Sequence, residues 1–201
     1  ELAAQANFLK DLPRTSNEGR YEMHLGLKGK TVLITGASRN IGRCAALAFA
    51  KEGANLAICT STKMDQLNEV AAEARKLGVK VVAEQCDVAD GAAVERFIAK
   101  TKQDLGAIHV VINNAVGRGA EGRFLQEDDE AWERNLAVNL TGPRNICRQV
   151  LPLMMEQKWG RIINLSGISS DIGVSVSKAM AKLGIVGFTR GLAREFATYG
   201  I

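Results

Sequence analysis

The sequence lacks the features that mark several large classes of protein. Its 26 basic and 22 acidic residues are interspersed, with no lysine- or arginine-rich run of the kind that contacts nucleic acid. No apolar stretch reaches the roughly 18 residues that a membrane-spanning helix needs. The N-terminus also lacks the basic and then apolar segments of a secretory signal. We therefore expect a cytoplasmic protein with neither nucleic acid nor a membrane as its partner.

Cysteine and histidine are scarce as well. The four cysteines, Cys44, Cys59, Cys86 and Cys147, are widely separated, and the chain has only two histidines. There is no C-x-x-C pair and no histidine cluster beside a cysteine, so the usual spacing of metal ligands is missing. We predict no metal site, and we expect the thiols to be small buried side chains in a reducing compartment.

Aromatic residues make up only 5% of the chain, whereas glycine, alanine and valine are plentiful and suit close packing of helices on a parallel sheet. From Lys30 onward, short apolar segments alternate with segments of helical periodicity. The strands are expected at 31–35, 55–59, 79–86, 109–115 and 161–166. The helices are expected at 41–52, 64–77, 94–105, 128–157 (one long helix or two) and 178–198.

This alternation predicts an α/β fold, a Rossmann-type doubly wound parallel sheet in a three-layer α/β/α arrangement. Asp90 precedes the third helix and is expected to be its N-cap. We divide the chain into an N-terminal extension, residues 1–28 with a short helix at Ala3–Leu12, and a single domain over residues 29–201.

A glycine-bearing turn, T-G-A-S-R-N-I-G (35–42), joins the first strand to the first helix. Gly36 permits a tight turn, and Gly42 lets the helix pack close to the strand. The free amides at the start of the helix can then hold a pyrophosphate, although a turn that simply needs glycine remains the alternative reading. The candidate cofactor-binding residues of this turn are Gly36, Ser38, Arg39, Asn40, Ile41 and Gly42.

Together with this turn, five further segments resemble the short-chain dehydrogenase/reductase family, with the 3-oxoacyl-carrier-protein reductases as the nearest general likeness. Asn40 stands where that family usually has a small residue, and Val116 replaces the last glycine of its N-N-A-G motif. The segments are C-D-V-A-D (86–90), N-N-A (113–115), A-V-N-L-T-G (137–142), G-R-I-I-N-L-S (160–166) and S-K-A-M-A-K-L-G-I-V-G-F-T-R-G-L-A-R-E (177–195).

The resemblance implies hydride transfer between nicotinamide C4 and a small-molecule carbonyl or alcohol substrate, in a homo-oligomer (dimer or tetramer) built on the helices at 128–157 and 178–198. By the same resemblance, Asn139 positions a water in the proton path, and Lys178 binds the cofactor ribose and assists an acid. The residues that the resemblance places around the cofactor are Asp87, Val88, Asn113, Asn114, Ala115 and Lys178.

The end of the second strand, C-T-S-T-K (59–63), indicates which nicotinamide cofactor is bound. A carboxylate there would accept hydrogen bonds from the ribose hydroxyls and repel a 2′-phosphate, but Thr60 and Ser61 stand at this place. Their hydroxyls, with Arg39 and Lys63, can neutralise a phosphate. We therefore predict NADP rather than NAD, although ordinary surface polarity would give the same residues.

The active-site motif departs from the family pattern. The family's serine is expected three residues after Asn164, which is Gly167. Ser166, Ser169 and Ser170 flank this position, and Ser166 is the candidate in its place, although turn serines that cap backbone groups are equally common. The family's acid is a tyrosine four residues before the lysine, where this chain has Val174. The stretch from Asn164 to Lys178 is also roughly half a dozen residues shorter than the family pattern.

These departures leave two interpretations. In the first, residues are missing within about Ser169–Val174 and beyond Ile201, since the chain starts with glutamate and stops where another strand is expected, and the protein is an active ketoreductase. In the second, it is a catalytically silent dinucleotide-binding sensor or oligomer partner, as Val174 and Gly167 suggest.

Overall fold

The computed structural model describes residues 25–117, 124–168, 172–173 and 175–201. The expected helix at Ala3–Leu12 lies outside the described residues. So do Ser169, Ser170 and Val174, on which part of the active-site argument rests.

Five parallel strands form one sheet, in the order β3–β2–β1–β4–β5. They are β1 (Thr31–Thr35), β2 (Asn55–Thr60), β3 (Val81–Gln85), β4 (Val110–Asn113) and β5 (Arg161–Asn164). Thr35 of β1 pairs with Cys59 of β2, and Asn113 of β4 pairs with Asn164 of β5. The carboxyl ends of the strands therefore meet at one edge of the sheet.

Helices connect each strand to the next. They are α1 (Asn40–Lys51), α2 (Met64–Lys76), α3 (Gly91–Leu105), α4 (Asp129–Leu136), α5 (Gly142–Gln157) and α6 (Val176–Phe196). Asp90 caps α3, as expected, because its Oδ1 accepts from the backbone N–H groups of Ala92 and Ala93 at 2.9 and 3.2 Å. Within the described ranges, no helix combines the length and the apolar character that crossing a bilayer requires.

The strands β1, β2 and β4 bury both of their faces, which explains their continuous apolar sequences. Val32 and Ile34 of β1 pack with α1 and α2 on one side of the sheet. Leu33 packs with α3 and α5 on the other side. The three-layer α/β/α arrangement predicted from the sequence is confirmed.

The segment at 128–157, expected as one long helix or two, forms two α-helices with a π-helical turn between them. It is divided by one π-helical turn, Ala137–Thr141, between α4 and α5. Pro143, two residues after this turn, has no N–H to donate to the carbonyl of Asn139, so the i to i−4 hydrogen bonding of an α-helix is interrupted at this point. Such single π turns are frequent at functional sites, and this one contains Asn139.

Aromatic and basic side chains hold the opposite edge of the sheet together. The Thr31 backbone N–H donates to Nδ1 of His109 at 3.0 Å. The His109 ring meets Trp159 edge to face, with 6.1 Å between ring centroids. The cations of Lys30 and Arg161 lie 4.3 and 4.9 Å from the centre of a Trp159 ring. This cluster ties the starts of β1, β4 and β5 to one another.

The His109 contact predicts a pH-dependent stability. Burial, and then the charge of Lys30, lower the pKa of His109 below its usual 6.5, and protonation would remove the lone pair that accepts from Thr31. Since the unfolded chain takes up this proton more readily, the contribution is present above about pH 6.5 and is lost as the pH falls from there through the lower folded pKa.

Denaturant unfolding at about pH 7.5 and about pH 5.5 measures this effect. His109→Asn keeps an acceptor in the place of Nδ1 but does not titrate, so the stability of this variant should change less between the two pH values. An equal pH dependence of wild type and variant would contradict the assignment to His109.

Candidate cofactor and active site

A cleft of about 530 Å³ lies at the carboxyl edge of the sheet, where the chain leaves β1 and β4 toward opposite faces. Ligands of doubly wound sheets bind at this kind of switch point. Most of the residues expected around the cofactor line the cleft: Gly36, Ser38, Arg39, Asn40, Ile41, Thr60, Ser61, Asp87, Val88, Asn114 and Ala115. Gly42, Asn113, Asn139, Ser166 and Lys178 are not part of the wall formed by the described residues.

The turn after β1 has no room for side chains at its two glycines. Gly36 has a φ of +66°, and a Cβ there would lie 2.9 Å from the Cα of Ala115. A Cβ on Gly42 would collide with the carbonyl oxygen of Gly36 and lie 2.6 Å from Nδ2 of Asn114. Asn40 adopts a φ of +49°, a region that asparagine tolerates better than most residues, which explains how it replaces a small residue here.

The start of α1 is free to receive an anion. Its N-cap residue, Arg39, makes no side-chain capping bond, and the first turn carries no acidic side chain. Unsatisfied N–H groups and the positive end of the helix dipole therefore face the cleft. The glycine cradle and these amides fit the diphosphate of a dinucleotide.

The N-N-A segment is fastened to the phosphate turn through Thr35. The backbone N–H groups of Asn114 and Ala115 donate to the Thr35 hydroxyl at 3.1 and 3.0 Å. Nδ2 of Asn114 donates to the carbonyls of Thr35 and Gly36 at 2.9 and 3.0 Å. The two loops on either side of the switch point therefore form one unit, and β4 ends at Asn113 rather than at Ala115.

The end of β2 presents hydroxyl groups to the cleft. The Thr60 hydroxyl donates to that of Ser38 at 3.4 Å, and both residues are buried. Ser61, Lys63 and Arg39 are exposed on the same wall. This part of the cleft holds two cations and no carboxylate among its lining residues.

Arg134 of α4 was not anticipated from the sequence. Its guanidinium lies 2.8 Å from Oδ2 of Asp87, and both residues line the cleft. Burial raises the pKa of Asp87, but the hydrogen bonds from Arg134 and from the Ala89 N–H outweigh it and hold that pKa below its usual range. No sequence signal links Asp87 and Arg134, because the fold alone brings these distant segments together.

One thiol lines the cleft and a second lies behind it. Cys86 is the lining residue and is 2% exposed, whereas its neighbour Cys59, near the end of β2, is fully buried. A hydrogen bond to Cys86, and then burial, raise the pKa of Cys59. Within the described residues, no three His, Cys, Asp or Glu side chains gather into a metal-binding group.

Asn139 is fixed in the π turn by three contacts of its side-chain amide. Nδ2 donates to the carbonyls of Gly117 and Asn135 at 3.2 and 2.9 Å and to Oδ1 of Asn135 at 2.6 Å. Oδ1 of Asn139 and Nδ2 of Asn135 are buried and have no protein partner among the described residues. Buried amides of this kind are normally satisfied by an ordered water.

A chain of side-chain hydrogen bonds connects β4, β5 and α6. Nδ2 of Asn113 donates to Oδ1 of Asn164 at 2.8 Å, and Nδ2 of Asn164 donates to the Thr189 hydroxyl at 2.9 Å. The Ser166 hydroxyl donates to the carbonyl of Lys182 at 3.1 Å. Asn113 therefore acts within the protein interior, and Ser166 ties the end of β5 to α6.

The fold, the glycine cradle and the free helix N-terminus define a dinucleotide-binding α/β protein. A family model described as short chain dehydrogenase matches residues 30–201. The chain belongs to the short-chain dehydrogenase family.

Relatives and solved structures agree with this family. The chain is 37% identical over 178 residues to oxidoreductase UcpA of Salmonella typhimurium, covering 87% of this chain and 66% of that protein. It is 35% identical to 3-oxoacyl-[acyl-carrier-protein] reductase FabG of Staphylococcus epidermidis, covering 86% of this chain and 71% of that protein.

Two solved structures with bound cofactors are similar in fold. An NAD+-bound xylitol dehydrogenase superposes with a TM-score of 0.83 at 30% identity, covering 87% of this chain and 68% of that chain. A metagenomic short-chain oxidoreductase in complex with NADP superposes with a TM-score of 0.82 at 27% identity, covering 86% of this chain and 79% of that chain. The chain thus spans about two thirds to four fifths of the length of these four proteins.

The contacts of Gly42 predict that Gly42→Ala lowers the free energy of unfolding by about 1–3 kcal/mol, the usual cost of forcing atoms into a packed site. The new methyl group would press on backbone of the phosphate turn, so dinucleotide affinity should fall as well. Gly91→Ala is the matched control, because nothing lies within 4 Å of its Cβ position. Denaturant unfolding and NADPH titration check both variants, and equal effects at the two glycines would contradict the packing argument.

Proposed function

We propose that the chain is an NADP(H)-dependent oxidoreductase that transfers hydride between nicotinamide C4 and a carbonyl or alcohol substrate, and that it acts as a ketoreductase. The observation that carries this proposal is the phosphate cradle at the switch point: two glycines without room for a Cβ beside a helix start without a capping side chain. A nicotinamide cofactor bound there supplies the hydride, and the chain supplies binding, orientation and the proton.

The preference for NADP rests on the charges at the end of β2. Thr60 and Ser61 offer hydroxyl groups, and the cations of Arg39 and Lys63 lie on the same wall. A 2′-phosphate would gain hydrogen bonds and charge neutralisation here, and no carboxylate in this wall segment would repel it. The NAD+ and NADP complexes of the structural neighbours support a nicotinamide cofactor and favour neither form.

The proposed catalytic groups are Asn139, Ser166 and a lysine at the start of α6, with Lys178 as the residue expected from the sequence. Asn139 has the buried and unpartnered Oδ1 that a water in a proton path would require. Ser166 keeps its lone pairs for a substrate hydroxyl while its own proton is donated to Lys182. The substrate is proposed as a small ketone or its alcohol, in keeping with the 3-oxoacyl reductase among the relatives.

The alternative function is that of a catalytically silent protein that binds a dinucleotide without turnover, as a sensor or an oligomer partner. Two residues of the sequence favour it, because Val174 and Gly167 stand where the family's tyrosine and serine are expected. Oligomerisation through α4, α5 and α6 and a cytoplasmic location remain predictions in either case.

Ser61→Asp tests the cofactor preference. The exposed carboxylate should repel the 2′-phosphate and accept bonds from free ribose hydroxyls, so the ratio of NADPH to NADH affinity should fall about tenfold or more. Ser61→Asn has the same shape without the charge and is the matched control. Titration by nicotinamide fluorescence measures both affinities, and an unchanged ratio in Ser61→Asp would place the 2′-position elsewhere.

A measurement of turnover distinguishes the oxidoreductase from the catalytically silent dinucleotide-binding protein. With acetoacetyl-coenzyme A as a 3-oxoacyl probe, we expect NADPH to be consumed only when the probe is present. Asn139→Ala should lower this rate about tenfold or more while NADPH affinity changes little. Asn68→Ala, an exposed amide on α2, should leave both unchanged. NADPH binding without any probe-dependent oxidation would favour the silent dinucleotide-binding protein.

A further inference from the structure

Two lysines, Lys178 and Lys182, lie one helical turn apart at the start of α6, and the structure gives them different surroundings. Nζ of Lys182 donates to the carbonyl of Leu165 at 2.9 Å, immediately after β5 ends. Burial lowers the pKa of Lys182. Lys182 is thus the lysine whose ammonium is held at the carboxyl edge of the sheet.

Further contacts fix the register of α6 against β5. The Ser166 hydroxyl donates to the Lys182 carbonyl, and the Thr189 hydroxyl receives the Asn164 side chain. Gly184 lies against Leu140 of the π turn, where a Cβ would come within 3.0 Å of the Leu140 side chain. The second turn of α6 is therefore held between the end of β5 and the turn that contains Asn139.

Lys178 occupies the turn before Lys182. Residues four apart share one face of a helix, separated by about 6 Å along its axis. The half-buried Lys178 therefore lies on the same face of α6 as Lys182, one turn nearer to the start of the helix. Its own turn is fixed, since Ser175 caps it through the Lys178 N–H at 3.4 Å and the buried Ser177 hydroxyl donates to Glu127.

We propose that Lys182 is the lysine that contacts the cofactor ribose, and that Lys178 is the proton donor in the place of the family's tyrosine. In this register the residue four before the lysine is Lys178, and Val174 no longer stands at the acid position. The stretch from Asn164 to Lys182 is also closer to the family's length. It is roughly two residues shorter than the family pattern, whereas the stretch from Asn164 to Lys178 is roughly half a dozen residues shorter. This proposal rests on the oxidoreductase function proposed above.

In the reducing direction, the substrate carbonyl carbon accepts a hydride with its two electrons from the reduced nicotinamide, and the π electrons of the C=O bond move to oxygen. An N–H bond of the Lys178 ammonium breaks as the O–H bond of the product alcohol forms. Lys178 is left as a neutral amine and regains a proton from solvent.

Three variants of the purified protein test the two roles, with NADPH and acetoacetyl-coenzyme A as probes. Lys182→Met should weaken NADPH binding about tenfold or more, because the half-buried cation proposed to lie beside the ribose is lost. Lys178→Met should change NADPH affinity less than about twofold and lower probe reduction about a hundredfold, the usual contribution of a general acid. Lys178→Tyr should keep NADPH binding and recover much of the rate lost in Lys178→Met.

Lys102→Met, on the exposed surface of α3, makes the same change of charge and should match the wild type in both measurements. Thermal unfolding identifies any variant whose loss of binding reflects loss of fold.

Weaker NADPH binding in Lys178→Met than in Lys182→Met would overturn the assignment of the ribose lysine. Binding of NADPH with no probe reduction by either the wild type or Lys178→Tyr would overturn the role of Lys178. A folded wild type that binds neither NADPH nor NADH would instead contradict the proposed function itself.

Discussion

The close contact between the loops that follow β1 and β4 is the constraint on which the whole site depends. Gly36 lies so near to Ala115 that a Cβ would reach 2.9 Å from its Cα, and the Thr35 hydroxyl accepts from two successive N–H groups of the second loop. Because the loops are joined at this point, the start of α1 and the N-N-A segment keep a fixed distance across the cleft. The parts of the site that would hold the diphosphate and the nicotinamide of a cofactor are thus already aligned.

The fold and the phosphate turn could be read from the sequence because their signals are local. Five short apolar strands that alternate with periodic helices fix a doubly wound sheet, and the strand bounds changed by only one or two residues, as at β4, where Asn114 turns toward Thr35. The π turn could not be read in the same way. Its origin is the combination of Pro143 with the packing of Gly142 against Val88, a contact between distant segments.

The register of α6 shows why the active site was harder to predict than the cofactor loop. Lys178 and Lys182 both begin a plausible helical pattern, and spacing to a tyrosine could not choose between them in a chain that has none at this place. The choice depends on which ammonium reaches the end of β5, and only the tertiary structure shows this. Nζ of Lys182 donates a hydrogen bond to the carbonyl of Leu165. The ion pair of Arg134 with Asp87 could not be predicted from the sequence either, since no periodicity connects α4 with the loop that follows β3.

The distribution of the four thiols has a practical consequence for spectroscopy. Cys44 on α1 is exposed, whereas Cys59, Cys86 and Cys147 are buried. Burial also raises the pKa of Cys147 to about 12, which leaves almost none of it as reactive thiolate. A maleimide dye would therefore attach to the native chain at Cys44 alone, two residues beyond the phosphate turn, without any engineered cysteine. Such a dye would report on the start of α1 as a dinucleotide arrives.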